Sequence, residues 1–426
     1  MEQALTLEDL AKMARQARDA AEGCKCMGTA QKNRILMDLA DLLDKRRGAI
    51  MDANAREAAK ARENGLPEAM ADRMTLTEAR YSEMVSGVRA VAALPDPVGR
   101  VLDGRTLPSG LKLMRRTVPL GVIGVIFESR PNVTVDIASL CLKSGNACIL
   151  RGGSECLETN IMLHEAVSDA LKQNGADPAA VSFVSSPNHA LVKAMLCMDD
   201  CISVIIPRGG EKLQRLCRQE ATVPVITGGF GISHIFCDEN CDIERAAKVI
   251  VNAKVQKPSA CNALDTLLVH QAIADKLIPK ALEELRPFKV KAHAHGGAMV
   301  IARECGYPDL EEGNEEDFSR EFLALEMNIA IVEDVKAACL HMRRHGASHS
   351  DAILTDSVAH AEYFVNHADS ACVYVNASTR FSDGGQFGLG AEVAISTQML
   401  HARGPMGLDA LTTYQWVLSG DYLSRP

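Results

Sequence analysis

One thiol in this sequence stands where chemistry is easy. Cys261 lies in Lys257-Pro258-Ser259-Ala260-Cys261-Asn262-Ala263, among small neighbours, with a proline shortly before it and an asparagine directly after. Small side chains leave room for a substrate carbon to reach the sulfur, and Pro258 stops the preceding helix from running on. A loop thiol of this kind acts as a covalent nucleophile once something lowers its pKa or holds the thiolate. The chain has 14 cysteines, and free cysteine is usually a small buried hydrophobe, so the thiol alone leaves both readings open.

Two further stretches have the chemistry of anion binding. Arg151-Gly152-Gly153-Ser154-Glu155 follows the apolar pair Ile149-Leu150, and Pro207-Arg208-Gly209-Gly210-Glu211 follows Ile205-Ile206. In each, an arginine and a Gly-Gly pair lie between a strand and the start of a helix. Glycines let backbone N–H groups approach a phosphate, and a helix N-terminus favours the anion. Gly-Gly is also plain turn chemistry. Two such turns in one sheet favour a phosphate or dinucleotide ligand, although neither is the G-x-G-x-x-G fingerprint.

The elements that must position these groups follow from periodicity. Residues 1 to about 95 read as packed helices, with Ile35, Leu36, Leu39, Leu42 and Leu43 at helical spacing. Residues 101–118 read as a hairpin turning at Pro108-Ser109-Gly110. From 120 onward strands and helices alternate: strands at 122–127, 147–150, 181–184, 202–206 and 223–226, and helices between them. A second such series surrounds the thiol, with a helix over 242–253 before it and strands at 266–269, 324–332, 352–354 and 372–375 after it. Alternation of this kind implies parallel sheets covered on both faces, with ligands at the carboxyl ends of the strands. Residues 376–407 are long, polar and glycine-rich, the character of a functional loop. Residues 411–418 alternate like a strand, hold the only tryptophan, and suit a sheet edge or an interface.

Bulk properties exclude several classes. A length of 426 residues calls for more than one lobe, and 47% hydrophobic with 24% charged residues is a globular composition. The net charge of −9 gives no electrostatic case for nucleic acid or an anionic membrane. No apolar run reaches the ~18 residues of a spanning helix. The acidic start, Met1 to Asp9, lacks the pattern of a signal peptide, and Cys24-x-Cys26 lacks zinc or dithiol spacing. No metal site is expected, and the expected compartment is the reducing cytoplasm.

Longer motifs carry a resemblance. The stretch Val118-Pro119-Leu120-Gly121-Val122-Ile123-Gly124-Val125-Ile126-Phe127-Glu128-Ser129-Arg130-Pro131-Asn132-Val133-Thr134-Val135-Asp136 is similar to a signature of the γ-glutamyl phosphate reductase family, within the aldehyde dehydrogenase superfamily. So are Leu142 to Ala147, Ile206 to Gly210, the Cys261 loop, Tyr374 to Phe381 and His401 to Leu408. The resemblance covers nearly the whole chain. It implies an aldehyde dehydrogenase-like α/β fold with two Rossmann-like domains and a small β oligomerisation element. The NADPH-binding domain is expected over 1–100 and 119–233, and the catalytic domain over 234–398. The oligomerisation element is expected over 101–118 and 399–426.

Carried over residue by residue, Cys261 takes the place of the nucleophile and Asn132 that of the oxyanion-supporting asparagine. Arg151, with Gly152, Gly153 and Ser154, falls near the adenosine ribose. Pro207, Arg208, Gly209 and Gly210 form the turn facing the cofactor phosphates. Glu321 matches the glutamate that holds the nicotinamide-side ribose. Arg130, Lys254 and Arg380 are candidates for the substrate's carboxylate and phosphate, and each has a competing structural reading. Three features depart from the family pattern: Phe318, Ala324, and the run Thr227-Gly228-Gly229-Phe230, which lies near the position of the general base in hydrolytic relatives.

The activity implied is NADPH-dependent reduction of L-glutamyl 5-phosphate to L-glutamate 5-semialdehyde through a Cys261 thioester, in proline biosynthesis. A hydrolytic semialdehyde dehydrogenase and a catalytically silent scaffold of the same fold stay open beside it. A homo-oligomer is expected, and delivery of the labile acyl phosphate by a glutamate 5-kinase is one option. How the thiolate is generated is open among a backbone dipole, the bound cofactor and Lys254.

Overall fold

The structure is a computed structural model that describes residues 5–66, 68–228 and 230–425, the side chains of 68 and 69 apart. The chain divides into two compact units. The first comprises residues 1–227, 388–394 and 406–426, and the second comprises 228–387 and 395–405.

The first unit opens with four helices: α1 (Leu7–Cys26), α2 (Thr29–Glu63), α3 (Glu68–Met74) and α4 (Glu78–Ala93). A capping box between Thr6 and Asp9 starts α1, and Leu10, Ala14 and Ala17 recur on its buried face. The expected hairpin follows as β1 (Val101–Thr106) and β2 (Lys112–Pro119). Next come β3 (Val122–Phe127), α5 (Asn132–Lys143), β4 (Ala147–Arg151), α6 (Leu157–Gln173), β5 (Val181–Phe183), α7 (His189–Leu196), β6 (Val204–Arg208) and α8 (Glu211–Glu220). Strands β3 to β6 form a parallel sheet in the order β5-β4-β3-β6. Every residue of β3 and β4 is buried, as a sheet covered on both faces requires. The carboxyl ends of β3, β4 and β6 therefore share one edge, and the turns at Glu128, Arg151 and Arg208 lie along it.

The second unit is built on β7 (Ser233–Cys237), α9 (Ile243–Val255), β8 (Leu264–His270), α10 (Ala274–Leu285), β9 (Lys291–Ala294), α11 (Gly297–Glu304), β10 (Leu310–Glu312), β11 (Glu326–Val332), α12 (Val335–His345), β12 (Ser350–Leu354), α13 (Val358–His367) and β13 (Cys372–Val375). These seven strands form one parallel sheet, ordered β10-β9-β11-β8-β7-β12-β13. Ile235, Leu267, Val269, Met327 and Ile329 pack into one core with the apolar faces of α9, α10 and α11. Short strands β14 (Ile395–Ser396) and β15 (Gly404–Pro405) pair antiparallel in the glycine-rich segment. In the first unit, β16 (Thr412–Ser419) pairs with β2, completing a three-stranded sheet ordered β1-β2-β16.

The expected strand at 223–226 is absent. Val225 makes a single bridge to Ile205, and Pro224 has no N–H to extend a ladder. Strands β7, β9 and β10 and helix α11 had no clear sequence signal. β7 is wholly buried yet begins Ser233-His234, and both residues use their backbone N–H to reach buried carboxylates. Of the run Thr227 to Phe230, Gly229 lies outside the described residues. Among the described residues no helix is long and apolar enough to cross a membrane.

Candidate active site

Cys261 sits in the turn between α9 and β8, half-buried, as Pro258 ending the helix predicts. The loop is held on one side by close backbone packing and on the other by side-chain hydrogen bonds. A Cβ built at Gly231 would lie 1.9 Å from the Cys261 carbonyl oxygen and 3.2 Å from the His349 ring. Only glycine allows that approach. On the other side Asn262 Nδ2 donates to the Ser382 carbonyl (2.8 Å), and Thr379 Oγ1 donates to the Asn262 carbonyl (2.8 Å). Behind this staple runs a buried chain of hydrogen bonds: His349 Nδ1 to Ser350 Oγ (2.9 Å), Ser350 Oγ to Ser382 Oγ (2.5 Å), and Tyr374 Oη to Ser382 Oγ (2.7 Å).

Glu321 shares this neighbourhood. Its Oε1 accepts the Gly231 N–H at 3.2 Å. Burial, and then the nearby Cys261 charge, push its carboxyl up to about 8, so it is protonated at neutral pH. A neutral carboxyl does not oppose a thiolate beside it. Leu323, two residues on, has a φ of 52°, a strained value for a residue with a side chain. The strain is held from two points: Asp265 Oδ1 accepts the Phe322 N–H (3.2 Å), and Lys254 Nζ donates to the Ala324 carbonyl (3.1 Å).

That last bond gives Lys254 a different setting from the one expected. Its side chain is wholly buried, and Nζ stands 3.8 Å from Asp265 Oδ1. Burial opposes the charge on both partners, pushing Asp265 up to about 6 and holding Lys254 below its ordinary value. The ammonium is thus committed to the Glu321 turn. Arg380 and Arg130 are half-buried, and Arg380 Nε donates to Gln256 Oε1 at 2.8 Å. His270, the histidine nearest to the thiol in sequence, instead caps the turn at Gln271–Ile273. His349 is the histidine that folding brings to the loop.

In the first unit, Asn132 opens α5, and its Nδ2 donates to Asp136 Oδ2 at 2.7 Å, one turn further on. A carboxylate accepts only, so the contact fixes which end of the amide is the donor. Burial pushes Asp136 up to about 6 even with Asn132 and the Arg208 charge opposing it. The turn before α5 is strained at Ser129, whose φ is 47°. Glu155 holds it there, accepting both the Ser129 N–H (2.7 Å) and its hydroxyl (2.8 Å).

The two Gly-Gly turns lie at the carboxyl ends of β4 and β6. Arg151 is buried, donates to the Pro187 carbonyl (3.2 Å), and keeps an Nε without a hydrogen-bond partner among the described residues. A Cβ at Gly152 would meet Asn160 at 2.4 Å, and one at Gly153 would meet Glu155 at 2.2 Å. Ser154 is exposed. Pro207 and Arg208 end β6, Pro207 buried and Arg208 half-buried. Gly210 caps α8 and donates its N–H to Glu128 Oε2 at 3.1 Å, while Gly209 packs against the same carboxyl. Both turns thus face carboxylates, Glu155 and Glu128, that sequence reasoning did not single out. Among the described residues, no group of three or more His, Cys, Asp or Glu side chains is arranged to hold a metal ion.

With this geometry in hand, the likeness to known proteins is informative. The sequence profile of the Aldehyde dehydrogenase family matches residues 2–303. A γ-glutamyl phosphate reductase of Yersinia enterocolitica is 53% identical over 416 residues, covering 98% of this chain and 99% of that relative. The chain belongs to the aldehyde dehydrogenase family, in its γ-glutamyl phosphate reductase branch. A crystal structure of the γ-glutamyl phosphate reductase of Thermotoga maritima matches with a TM-score of 0.93 and 42% identity, covering 98% of this chain and 100% of that one. An acetylating aldehyde dehydrogenase of Geobacillus thermoglucosidasius shares the fold at 16% identity, with a TM-score of 0.72 over 99% of this chain and 98% of that one. Membership of the aldehyde dehydrogenase family makes this chain an oxidoreductase.

Proposed function

We propose that this oxidoreductase reduces L-glutamyl 5-phosphate to L-glutamate 5-semialdehyde and phosphate, in proline biosynthesis, with NADPH as the reductant. The observation that carries the reading is the mounting of Cys261, a half-buried thiol whose loop is locked by Gly231 on one side and by Asn262 on the other. The name borne by relatives alike over nearly the whole chain supports the substrate.

In this account the Cys261 thiolate attacks the acyl carbonyl, and phosphate departs with the bonding electrons to leave a thioester. Phosphate is a good leaving group, so little proton transfer is asked of the protein. Asn132, oriented by Asp136, is the proposed side-chain donor to the oxyanion; one such donor contributes roughly 3–4 kcal/mol in comparable sites. When bound, the cofactor supplies the hydride that reduces the thioester. Collapse of the resulting thiohemiacetal releases the aldehyde and restores the thiolate.

The residues at the β4 and β6 ends suit a dinucleotide: Arg151 retains a buried Nε that is unpartnered among the described residues, and the Gly-Gly turns bring backbone close. We assign Arg151, Gly152, Gly153 and Ser154 to the adenosine side, and Pro207, Arg208, Gly209 and Gly210 to the phosphates. Glu321 is assigned to the nicotinamide-side ribose. Arg130 and Arg380 remain proposed substrate ligands, and Lys254 becomes a positioning residue for the Glu321 turn.

Assembly and supply belong to the same proposal. The sheet β1-β2-β16 exposes Tyr414 and Trp416 on an edge strand, with the Arg115 guanidinium over both rings, and suits a homo-oligomeric contact. A glutamate 5-kinase is the proposed source of the acyl phosphate, and the cytoplasm is the proposed compartment. The test is the reverse reaction: NADPH should form from glutamate 5-semialdehyde and NADP only with phosphate or arsenate present. Equal rates without either anion would identify a hydrolytic semialdehyde dehydrogenase instead.

A further inference from the structure

Beside the thiol loop, the second unit contains a cavity of about 260 Å³ lined by Asn252, Gln256, Arg380, Phe381, Asp383 and Gln386. Asn252 and Gln256 lie one turn apart where α9 ends, and the other four come from the segment that follows β13. That segment is the one Asn262 and Thr379 tie down, so the residue anchoring the cavity wall is the chain neighbour of Cys261.

The lining carries two opposite charges in fixed positions. Arg380 is oriented through Nε, which donates to Gln256 Oε1 at 2.8 Å. That bond fixes the plane of the guanidinium, a rigid fork of N–H donors suited to a carboxylate. Asp383 is oriented through Oδ1, which accepts the N–H groups of Gly385 (2.9 Å) and Gln386 (3.1 Å). Its Oδ2 accepts no hydrogen bond among the described residues. A simple anion would use the cation and be repelled by the acid. A zwitterion uses both.

We propose that this cavity is the subsite for the α-amino and α-carboxylate groups of the substrate, with Asp383 receiving the ammonium and Arg380 pairing the carboxylate. Gln256 is a positioning residue that acts through Arg380. The inference rests on the proposed function for the substrate's identity, and it extends it: discrimination for an α-amino acid comes from Asp383. An analogue without the ammonium leaves Asp383 facing an apolar ligand atom. One without the carboxylate forfeits the pairing with Arg380. Either loss lowers affinity by the charge-assisted pairing that the analogue no longer makes.

The test uses the full chain and three forms: wild type, Asp383→Asn and Arg380→Gln. Asparagine keeps an Oδ1 acceptor for the two N–H groups, so the loop is preserved while the charge is lost. Two readouts are taken. The first is binding of L-glutamate and of glutarate by saturation-transfer NMR, which needs no turnover. The second is the ratio of kcat/KM for glutamate 5-semialdehyde over 5-oxopentanoate, which lacks the ammonium. Wild type should bind L-glutamate in preference to glutarate. Asp383→Asn should weaken L-glutamate binding and lower the ratio by about tenfold or more, chiefly through KM. Arg380→Gln should weaken both ligands.

An unchanged ratio with unchanged L-glutamate binding in Asp383→Asn overturns the subsite. So does an equal fall for both aldehydes. The proposed function fails separately: Asp383-dependent L-glutamate binding in a protein without phosphate-dependent turnover would leave the subsite standing and remove the reductase reading.

Discussion

The backbone of Gly231 lies against that of Cys261 so closely that a Cβ at position 231 would stand 1.9 Å from the Cys261 carbonyl oxygen. Backbone cannot step aside as a flexible side chain can. Gly231→Ala should therefore cost more than the roughly 1–3 kcal/mol typical of an inserted methylene. It should also displace the thiol loop. Thermal unfolding and the alkylation rate at Cys261 would report the two effects. A variant with wild-type stability and wild-type thiol reactivity would mean that the loop is not held there.

Glu321 should tune the thiol. Its carboxyl, pushed up to about 8, is neutral at pH 7 and gains charge as the pH rises further. That charge disfavours the neighbouring thiolate, because the interaction between the two groups is mutual. In Glu321→Gln the charge never develops, so the pH midpoint for alkylation of Cys261 should fall. With 14 cysteines in the chain, the rate must be read on the Cys261 peptide by mass spectrometry. The stability sign is also fixed. The Glu321 contribution is fully present below its ordinary 4.5 and is lost as pH rises through about 8, and the glutamine variant should lack that loss.

The buried Lys254–Asp265 pair predicts a pH-dependent defect. Asp265 already sits near 6 rather than its ordinary 3.8, with Lys254 holding it down against burial. Without that charge its folded-state pKa rises further. The Asp265 contribution is present below 3.8 and lost as pH rises through the folded value. Lys254→Met should thus show a small deficit at pH 5 that grows above pH 6, reaching about 3–5 kcal/mol at pH 8. Denaturant unfolding at the two pH values measures it. A deficit independent of pH would mean that Asp265 is not the group left uncompensated.

Asn132→Ala should lower kcat by roughly 10²–10³-fold with a smaller change in KM, the pattern of a donor used mainly in the transition state. Asp136→Asn should give a partial version of the same defect, because a neutral partner orients the amide less firmly than a carboxylate. Steady-state kinetics on the two variants distinguish a donor from a helix-start residue. A change confined to stability would assign Asn132 to the fold alone.

Much of this is legible in the sequence alone. The strands from Val122 to Arg208 are apolar runs bracketed by glycines, and they fall within a few residues of their expected bounds. The Cys261 loop and both Gly-Gly turns announce themselves by composition. β7 did not, because its first two residues are Ser233 and His234, and their burial depends on Asp265 and Asp351 arriving from other strands. Lys254 reads in sequence as either a ligand or a structural residue, and its wholly buried place beside Asp265 appears only on folding. Gly231, His349, Asp265 and Glu155 owe their roles to residues distant in the chain, which local pattern does not encode.

The most direct measurement of the central claim is a first-turnover experiment in the oxidative direction without phosphate. Glutamate 5-semialdehyde and NADP are mixed with the protein, NADPH is followed, and the reaction is quenched in acid. The account predicts a burst of about one NADPH per active thiol, a γ-glutamyl adduct on the Cys261 peptide, and resumed turnover once phosphate is added. Cys261→Ala should show neither burst nor adduct. A burst that survives in Cys261→Ala, or an adduct on another residue, would contradict it.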